Sequence, residues 1–397
     1  MKLAERALNI SPSPTLSIDA RAKKMVAEGL DVVNFGVGEP DFDTPEHIRQ
    51  AAIEAINKGM TRYTAVAGID SLKAAIVKKF KEDNGLEYQP SQIVVSAGAK
   101  HSLYNAFQVL CQEGDEVILA APYWVSHLEQ IKLAGAVPII VQTRASNGFK
   151  LTTEELESVL TPRTRLILLN SPSNPTGAVY TRGELEALGE ILLRQKVSII
   201  SDEIYEKLIY DGMEHVSIAS LSTELKELTV VINGVSKSYA MTGWRIGYAA
   251  APQAVAKAMA DLQSHSTSNP TSIAQAASVA ALLGSQEKLF EMVREFNSRR
   301  DYMLERVNAV PGLSCARPSG AFYLFPDMSS FIGRHYEGRK ISGSSDLAAI
   351  LLEEAMVALV PGVAFGDDRC FRLSYATSME RIREGMDRIE KVLSRIK

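Results

Sequence analysis

Cysteine is scarce, at positions 111, 315 and 370 only. An odd number at wide spacing excludes a disulfide framework and implies reduced, mostly buried thiols, as in a cytosolic (cytoplasmic) protein. The six histidines show no metal-ligand spacing, so no metal is expected. No apolar run approaches the length that crosses a bilayer. The first ten residues carry Lys2, Glu5 and Arg6 where a secretory signal needs an apolar stretch. No long run of one charge exists, and 43 Lys and Arg against 47 Asp and Glu give a net charge of −4. That balance argues against nucleic-acid and membrane partners. Repeats and low-complexity segments are also missing. What is present is ordinary globular material: 397 residues, 46% hydrophobic and 23% charged, enough for a large core and two domains.

Read in order, residues 11–18 (Ser-Pro-Ser-Pro-Thr-Leu-Ser-Ile) form an extended, proline-stiffened arm. Helical spacing follows over 20–28. A short strand then runs into the glycine turn Gly36-Val37-Gly38-Glu39-Pro40, where Gly38 admits close approach to its backbone. Thr44 and Pro45 read as N-cap and first residue of a helix that stops at Gly59. From there strands and helices alternate. Strands are expected at 92–95, 116–120, 137–141, 165–169, 197–201 and 229–233, with helices over 71–82, after Lys100, from Pro122, and over 153–160 and 183–194. This alternation predicts an α/β fold, a doubly wound and mainly parallel sheet, over 46–290. A long charged helix over 285–309 leads to an α+β segment. We therefore expect a smaller C-terminal domain over 291–397, with residues 1–45 as an N-terminal arm packing partly against it.

Sites in such sheets lie beyond the carboxyl ends of the strands. Ser96-Ala97-Gly98-Ala99-Lys100 is a small-residue turn opening a helix, a place where free N–H groups suit a phosphate. Asp202 ends a near-continuous apolar strand. Asn174 lies in a strand-end loop with two X-Pro steps. Trp124 suits either ring stacking or core packing. Arg372 lies within an apolar strand and needs an anionic partner, either a structural carboxylate or a substrate's.

The most informative stretch is 230–249, where an apolar strand delivers Gly234-Val235-Ser236-Lys237 and Arg245 follows eight residues after the lysine. A buried turn with a solvated lysine and arginine is the plain reading. The chemical one is a lysine that forms a Schiff base with an aldehyde and an arginine that neutralises a phosphate, which together describe pyridoxal 5′-phosphate.

Gly-Glu-Pro-Asp-Phe at 38–42, Tyr63, the turn at 96–100, Pro-Tyr-Trp at 122–124, Asn-Pro-Thr-Gly at 174–177, Ser-Asp-Glu-Ile-Tyr at 201–205, the stretch around Lys237, and Arg372 occur together and in order. Over essentially its full length the chain resembles the class I, fold-type I pyridoxal-phosphate aminotransferases, and within them the bacterial aspartate aminotransferase subgroup. The resemblance implies that Lys237 carries the cofactor and acts as general base. Asp202 would pair with the pyridine nitrogen, Tyr205 and Asn174 with the ring oxygen, and Trp124 would stack on the ring. The phosphate would be held by Gly98, Ala99, Lys100, Ser236, Arg245 and a neighbouring subunit's Tyr63, hence a homodimer with shared sites. Arg372, helped by Gly38 and Asn174, would clamp the substrate α-carboxylate. The reaction so implied is ping-pong transamination between L-aspartate and 2-oxoglutarate, giving oxaloacetate and L-glutamate through pyridoxamine phosphate.

Some members carry a serine three residues before the lysine; here Gly234 leaves that hydroxyl duty to Ser236. The second arginine of animal-type enzymes has no counterpart, and Lys100 takes its place for the distal carboxylate. Relatives that use prephenate carry a basic residue before Pro-Ser in the arm; Ser11 stands there. Aromatic, alanine or prephenate substrates, and a lyase on the same fold, remain the alternatives. A nicotinamide site lacks its Gly-x-Gly-x-x-Gly.

Overall fold

The computed structural model describes residues 1–397. Seven strands form the main sheet: β1 (Ile93–Ser96), β2 (Glu116–Ala121), β3 (Val137–Gln142), β4 (Thr164–Asn170), β5 (Ser198–Asp202), β6 (Thr229–Gly234) and β7 (Gly247–Ala250). Their order is β1-β7-β6-β5-β4-β2-β3. All run parallel except β7, which is antiparallel to both neighbours. The expected strands are all present. β7 was not foreseen, because Gly-Tyr-Ala-Ala carries no β-branched signal and gains its strand character from the two strands it sits between.

The sheet is covered on both faces, as parallel sheets usually are, with only its edge strand β3 largely exposed. One face packs Phe107, Leu103 and Ile131 against Val117, Leu119 and Ile232. The other packs Leu156, Leu185, Leu188 and Leu192 against Ile118, Ile167 and Ile199. A second, three-stranded sheet joins β8 (Tyr323–Leu324), β9 (Val360–Pro361) and β10 (Phe371–Ser374) in the order β9-β10-β8, all antiparallel. It lies in the core with the long helix Glu287–Ala309 and the C-terminal helix Met379–Leu393. That cluster also reaches Phe80, Ile93 and Tyr248, so the apolar core is continuous between the two sheets.

Three local expectations are corrected. The segment 11–18 is not an extended arm throughout: α1 (Pro14–Ala27) begins inside it, with Pro14 at the first helical position, where its missing N–H costs nothing. Thr44 does not cap the next helix, which starts at Glu46. Its hydroxyl instead donates to the Ala240 carbonyl (2.6 Å) and accepts from the Trp244 indole (3.0 Å). The helix expected from Pro122 starts at Val125, with Trp124 as its cap residue. Of the thiols, only Cys370 is buried; Cys111 and Cys315 are half-buried, and burial pushes the Cys111 thiol up to about 12. No helix is long and apolar enough to cross a membrane.

Candidate active site

The carboxyl ends of β4, β5 and β6 converge on a cavity of about 430 Å³. Register explains the convergence: Asn170, the last residue of β4, pairs with Asp202, the last residue of β5, which pairs with Ile232 of β6. Lys237 follows β6 directly and lines the cavity with Asp202, Tyr205, Ser236 and Arg245. Across it stand Arg372 from β10, Gly38 from the N-terminal turn, and Ser13, Thr15 and Lys23 from the arm and α1.

Lys237 donates from Nζ to the Gly38 carbonyl at 2.6 Å. Burial lowers its ammonium to about 8, against the opposing pull of Glu39, with Arg372, Arg245 and Lys100 adding to the fall. A substantial neutral fraction at that value makes the amine a nucleophile near neutrality.

Asp202 is buried and meets His127 (Nε2 to Oδ2, 3.1 Å). The other ring nitrogen of His127 is buried without a partner. The backbone carbonyl of Asp202 accepts from the Asn170 side chain at 3.0 Å, and Asn170 Oδ1 accepts the Asn174 N–H at 2.9 Å. The sequence reading missed His127, Asn170 and Tyr323. His127 lies one helical turn after Trp124, a spacing that places both on one side of the helix Val125–Leu133, and that is the signal available.

Arg372 is 2% exposed and no acid pairs with it. Its guanidinium donates to Asn174 Oδ1 (2.9 Å) and to the Gly36 carbonyl (2.8 Å), while its Nε is buried with no partner. Burial lowers the guanidinium below its ordinary range. A cation so placed is costly unless an anion arrives. Of the two partners the sequence left open, the structural carboxylate is therefore excluded.

At the other end, the turn before the helix Ala99–Leu110 gives the cavity an anion-binding wall. The N–H groups of Ala99 and Lys100 open the helix without an acceptor in the fold. Gly98 has φ +90°, and a Cβ there would strike the Arg245 guanidinium. Arg245 donates only to the carbonyls of Thr242 (2.9 Å) and Ala97 (3.3 Å). Lys100 stands over the Trp124 ring at 4.9 Å, and burial together with Arg245 lowers its ammonium. Gly234 faces β7 so closely that a Cβ would lie 3.0 Å from Gly247 Cα, so a side chain there would need the neighbouring backbone to shift by a few tenths of an ångström; Ser236 lines the cavity instead. Two of the expected residues do not line the cavity: Gly98, which lies against the Arg245 guanidinium that does, and Tyr63, which is 91% exposed.

The residues fit a flat heteroaromatic aldehyde bearing a phosphate: an amine lowered to about 8, a buried carboxylate, an indole in the wall, and free N–H groups beside an arginine. Comparison with known proteins agrees. The family model for class I and II aminotransferases matches residues 30–389. An aspartate aminotransferase of Geobacillus stearothermophilus is 53% identical over 396 residues, 99% of each chain. An aspartate/prephenate aminotransferase of Cereibacter sphaeroides is 48% identical, covering 98% of each. The crystal structure of the Rhizobium meliloti aspartate aminotransferase superposes with a TM-score of 0.97 at 47% identity, covering 100% of both chains.

Proposed function

The chain belongs to the class I and II aminotransferases, and from that premise we propose that it moves the amino group of L-aspartate to 2-oxoglutarate on pyridoxal 5′-phosphate held in this cavity. The observation that carries the reading is Arg372, a buried cation with no protein anion, facing the amine of Lys237 across the same space. Full-length similarity to proteins named aspartate aminotransferase supports the substrate choice.

When bound, the cofactor supplies an aldehyde carbon and a ring that withdraws electrons from the carbon being deprotonated. The chain supplies the rest. Lys237 would be the residue that anchors the aldehyde, and its amine, with its lowered pKa, would serve as the base that carries the substrate Cα proton. Asp202 would keep a proton on the ring nitrogen, and His127 meets the carboxylate from its own side. Tyr205 and Asn174 would pair with the ring oxygen. Ala99 and Lys100 N–H, Gly98, Ser236 and Arg245 would hold the phosphate, and Trp124 would stack on the ring. Arg372 takes the α-carboxylate bidentately, with Gly38 and Asn174 beside it. Lys100 meets the distal carboxylate. The exposed Tyr63 is assigned to the phosphate of a second copy, so the working unit is a homodimer with shared sites. Residues 291–397, with part of the arm over 1–45, are the smaller domain that carries Arg372 to the larger one over 46–290.

The test follows the visible band of the loaded protein during titration with aspartate, glutamate, alanine, phenylalanine and, through the reverse half-reaction, 2-oxoglutarate and prephenate. Bleaching by aspartate and recovery with 2-oxoglutarate are expected. Oxo acid released without bleaching, and without need for an acceptor, would replace the reading with lyase chemistry. Prephenate use, which the name of the Cereibacter sphaeroides relative raises, would show as equal recovery with prephenate; Ser11, where prephenate users carry a basic residue, predicts weaker recovery.

A further inference from the structure

Tyr323 lies in the cavity wall with no role assigned so far. It sits on β8, whose neighbour β10 carries Arg372; Ser374 pairs with Tyr323 two residues beyond it. The side chain is fully buried, and the Arg372 guanidinium stands over its ring at 4.4 Å. Its hydroxyl is 2.8 Å from that of Tyr205, and the two rings meet edge to face at 5.9 Å. A Cβ on Gly38 would stand 3.0 Å from the Tyr323 oxygen, so the glycine there leaves room for this hydroxyl.

Two facing hydroxyls share one hydrogen bond, so one donates and the other keeps its proton for a third group. The cation over the Tyr323 ring polarises its O–H and makes it the better donor. Burial raises both phenols, Tyr205 well above the usual value, while at Tyr323 the Arg372 charge is the largest offset to that rise. Tyr205 then accepts from Tyr323 and turns its own proton to the cavity.

We propose that Tyr323 is a positioning residue that links the two ends of the site, donating to Tyr205 with a strength set by the charge state around Arg372. The proposal rests on the cofactor reading above. With Arg372 unpaired, Tyr323 donates strongly, Tyr205 donates strongly to the ring oxygen, and the Lys237 nitrogen is less basic. A carboxylate on Arg372 weakens this chain, and the Lys237 nitrogen becomes a better acceptor for the proton that the substrate amine must lose. A second route from Arg372 runs through Asn174, so the tyrosine route carries part of the effect.

The experiment is a pH titration of the visible band of the loaded full-length protein, with and without succinate, which has two carboxylates and no amine. Tyr323→Phe keeps the ring and removes the hydroxyl. Its pH midpoint is expected to lie higher than that of the unaltered protein by about half a unit, and its succinate-induced rise to be smaller. Tyr205→Phe with Tyr323→Phe should behave as Tyr205→Phe alone. An unchanged midpoint and an unchanged succinate shift in Tyr323→Phe would overturn the proposal, as would a fall in thermal midpoint with no change in either. Absence of a visible band in the unaltered protein is a different result, which removes the cofactor reading itself and the relay with it.

Discussion

Two buried arginines show how differently this chain treats the same side chain. Arg300, on the long helix, is 0% exposed and fully engaged. It grips both oxygens of Asp211 at 2.9 Å and also bonds Asp301, Asn297 and the Pro318 carbonyl. Arg317 joins the same carboxylates. Burial alone would lower the Arg300 guanidinium, but Asp211 and Asp301 outweigh it and raise it. Arg372 is nearly as buried, touches only neutral oxygens, leaves Nε without a partner, and is lowered. The first arginine is a finished joint between the long helix and the turn at Asp211. The second keeps its anionic place open, the place that the proposed function gives to the substrate carboxylate.

The comparison can be broken by substitution. The largest effect is expected at the centre of the open region: Lys237→Ala should lower turnover by more than about 10⁴-fold, through loss of the covalent anchor and the base, with thermal stability kept. Steady-state rates beside a melting curve would check both halves; a variant that still transaminates fully would remove Lys237 from its role.

Next come the arginines themselves. Asp211→Ala strips two bonds from Arg300 and leaves a buried cation under-compensated, so stability should fall by about 3 kcal/mol with kcat/KM per folded molecule unchanged. Arg372→Leu should do the reverse. Two charge-assisted bonds to the substrate are lost, an expected drop in kcat/KM of about 10²- to 10³-fold, while the denaturation midpoint stays or rises. Denaturant curves and kinetics on the two variants decide the matter, and loss of stability in Arg372→Leu would erase the distinction drawn here.

A smaller change is expected from Lys100→Met, which should raise KM for aspartate about five-fold and leave KM for alanine nearly constant; equal changes for both would take Lys100 out of distal-carboxylate binding. The mildest test is pH alone. Because burial brings Lys237 from 10.5 to about 8, the unfolded chain binds more protons between those values, and stability gains from this group as pH rises through that window. The same shift predicts that the rate at which cofactor-free protein captures pyridoxal phosphate rises through a midpoint near 8 and levels above it. A midpoint near 10 would mean the lysine is solvated.

Much of this was legible before folding. The alternation of apolar runs and helical faces placed six of the seven strands of the main sheet, because each is an apolar run of its own; five of them are largely buried, and the edge strand β3 keeps the same pattern although Val137 and Ile140 are exposed. β7 was hidden, since Gly247, Tyr248, Ala249 and Ala250 become a strand only between β1 and β6. Thr44 carried the signature of a cap and used its hydroxyl elsewhere, because Ala240 and Trp244, about two hundred residues away, offered it better partners.

By itself the sequence determined the chemistry-bearing residues that sit at strand ends: Lys237, Asp202, Asn174 and the turn at 96–100, fixed by local pattern. It also marked Arg372 as a charge in need of a partner. Tertiary structure alone decided what that partner is not, since the lack of an acid paired with Arg372 depends on distant segments, those of Gly36 and Asn174 among them, meeting there. It alone placed His127 behind Asp202 and Tyr323 between Arg372 and Tyr205. A local pattern fixes backbone and burial within a dozen residues; which charges are left unpaired is decided by contacts between segments hundreds of residues apart.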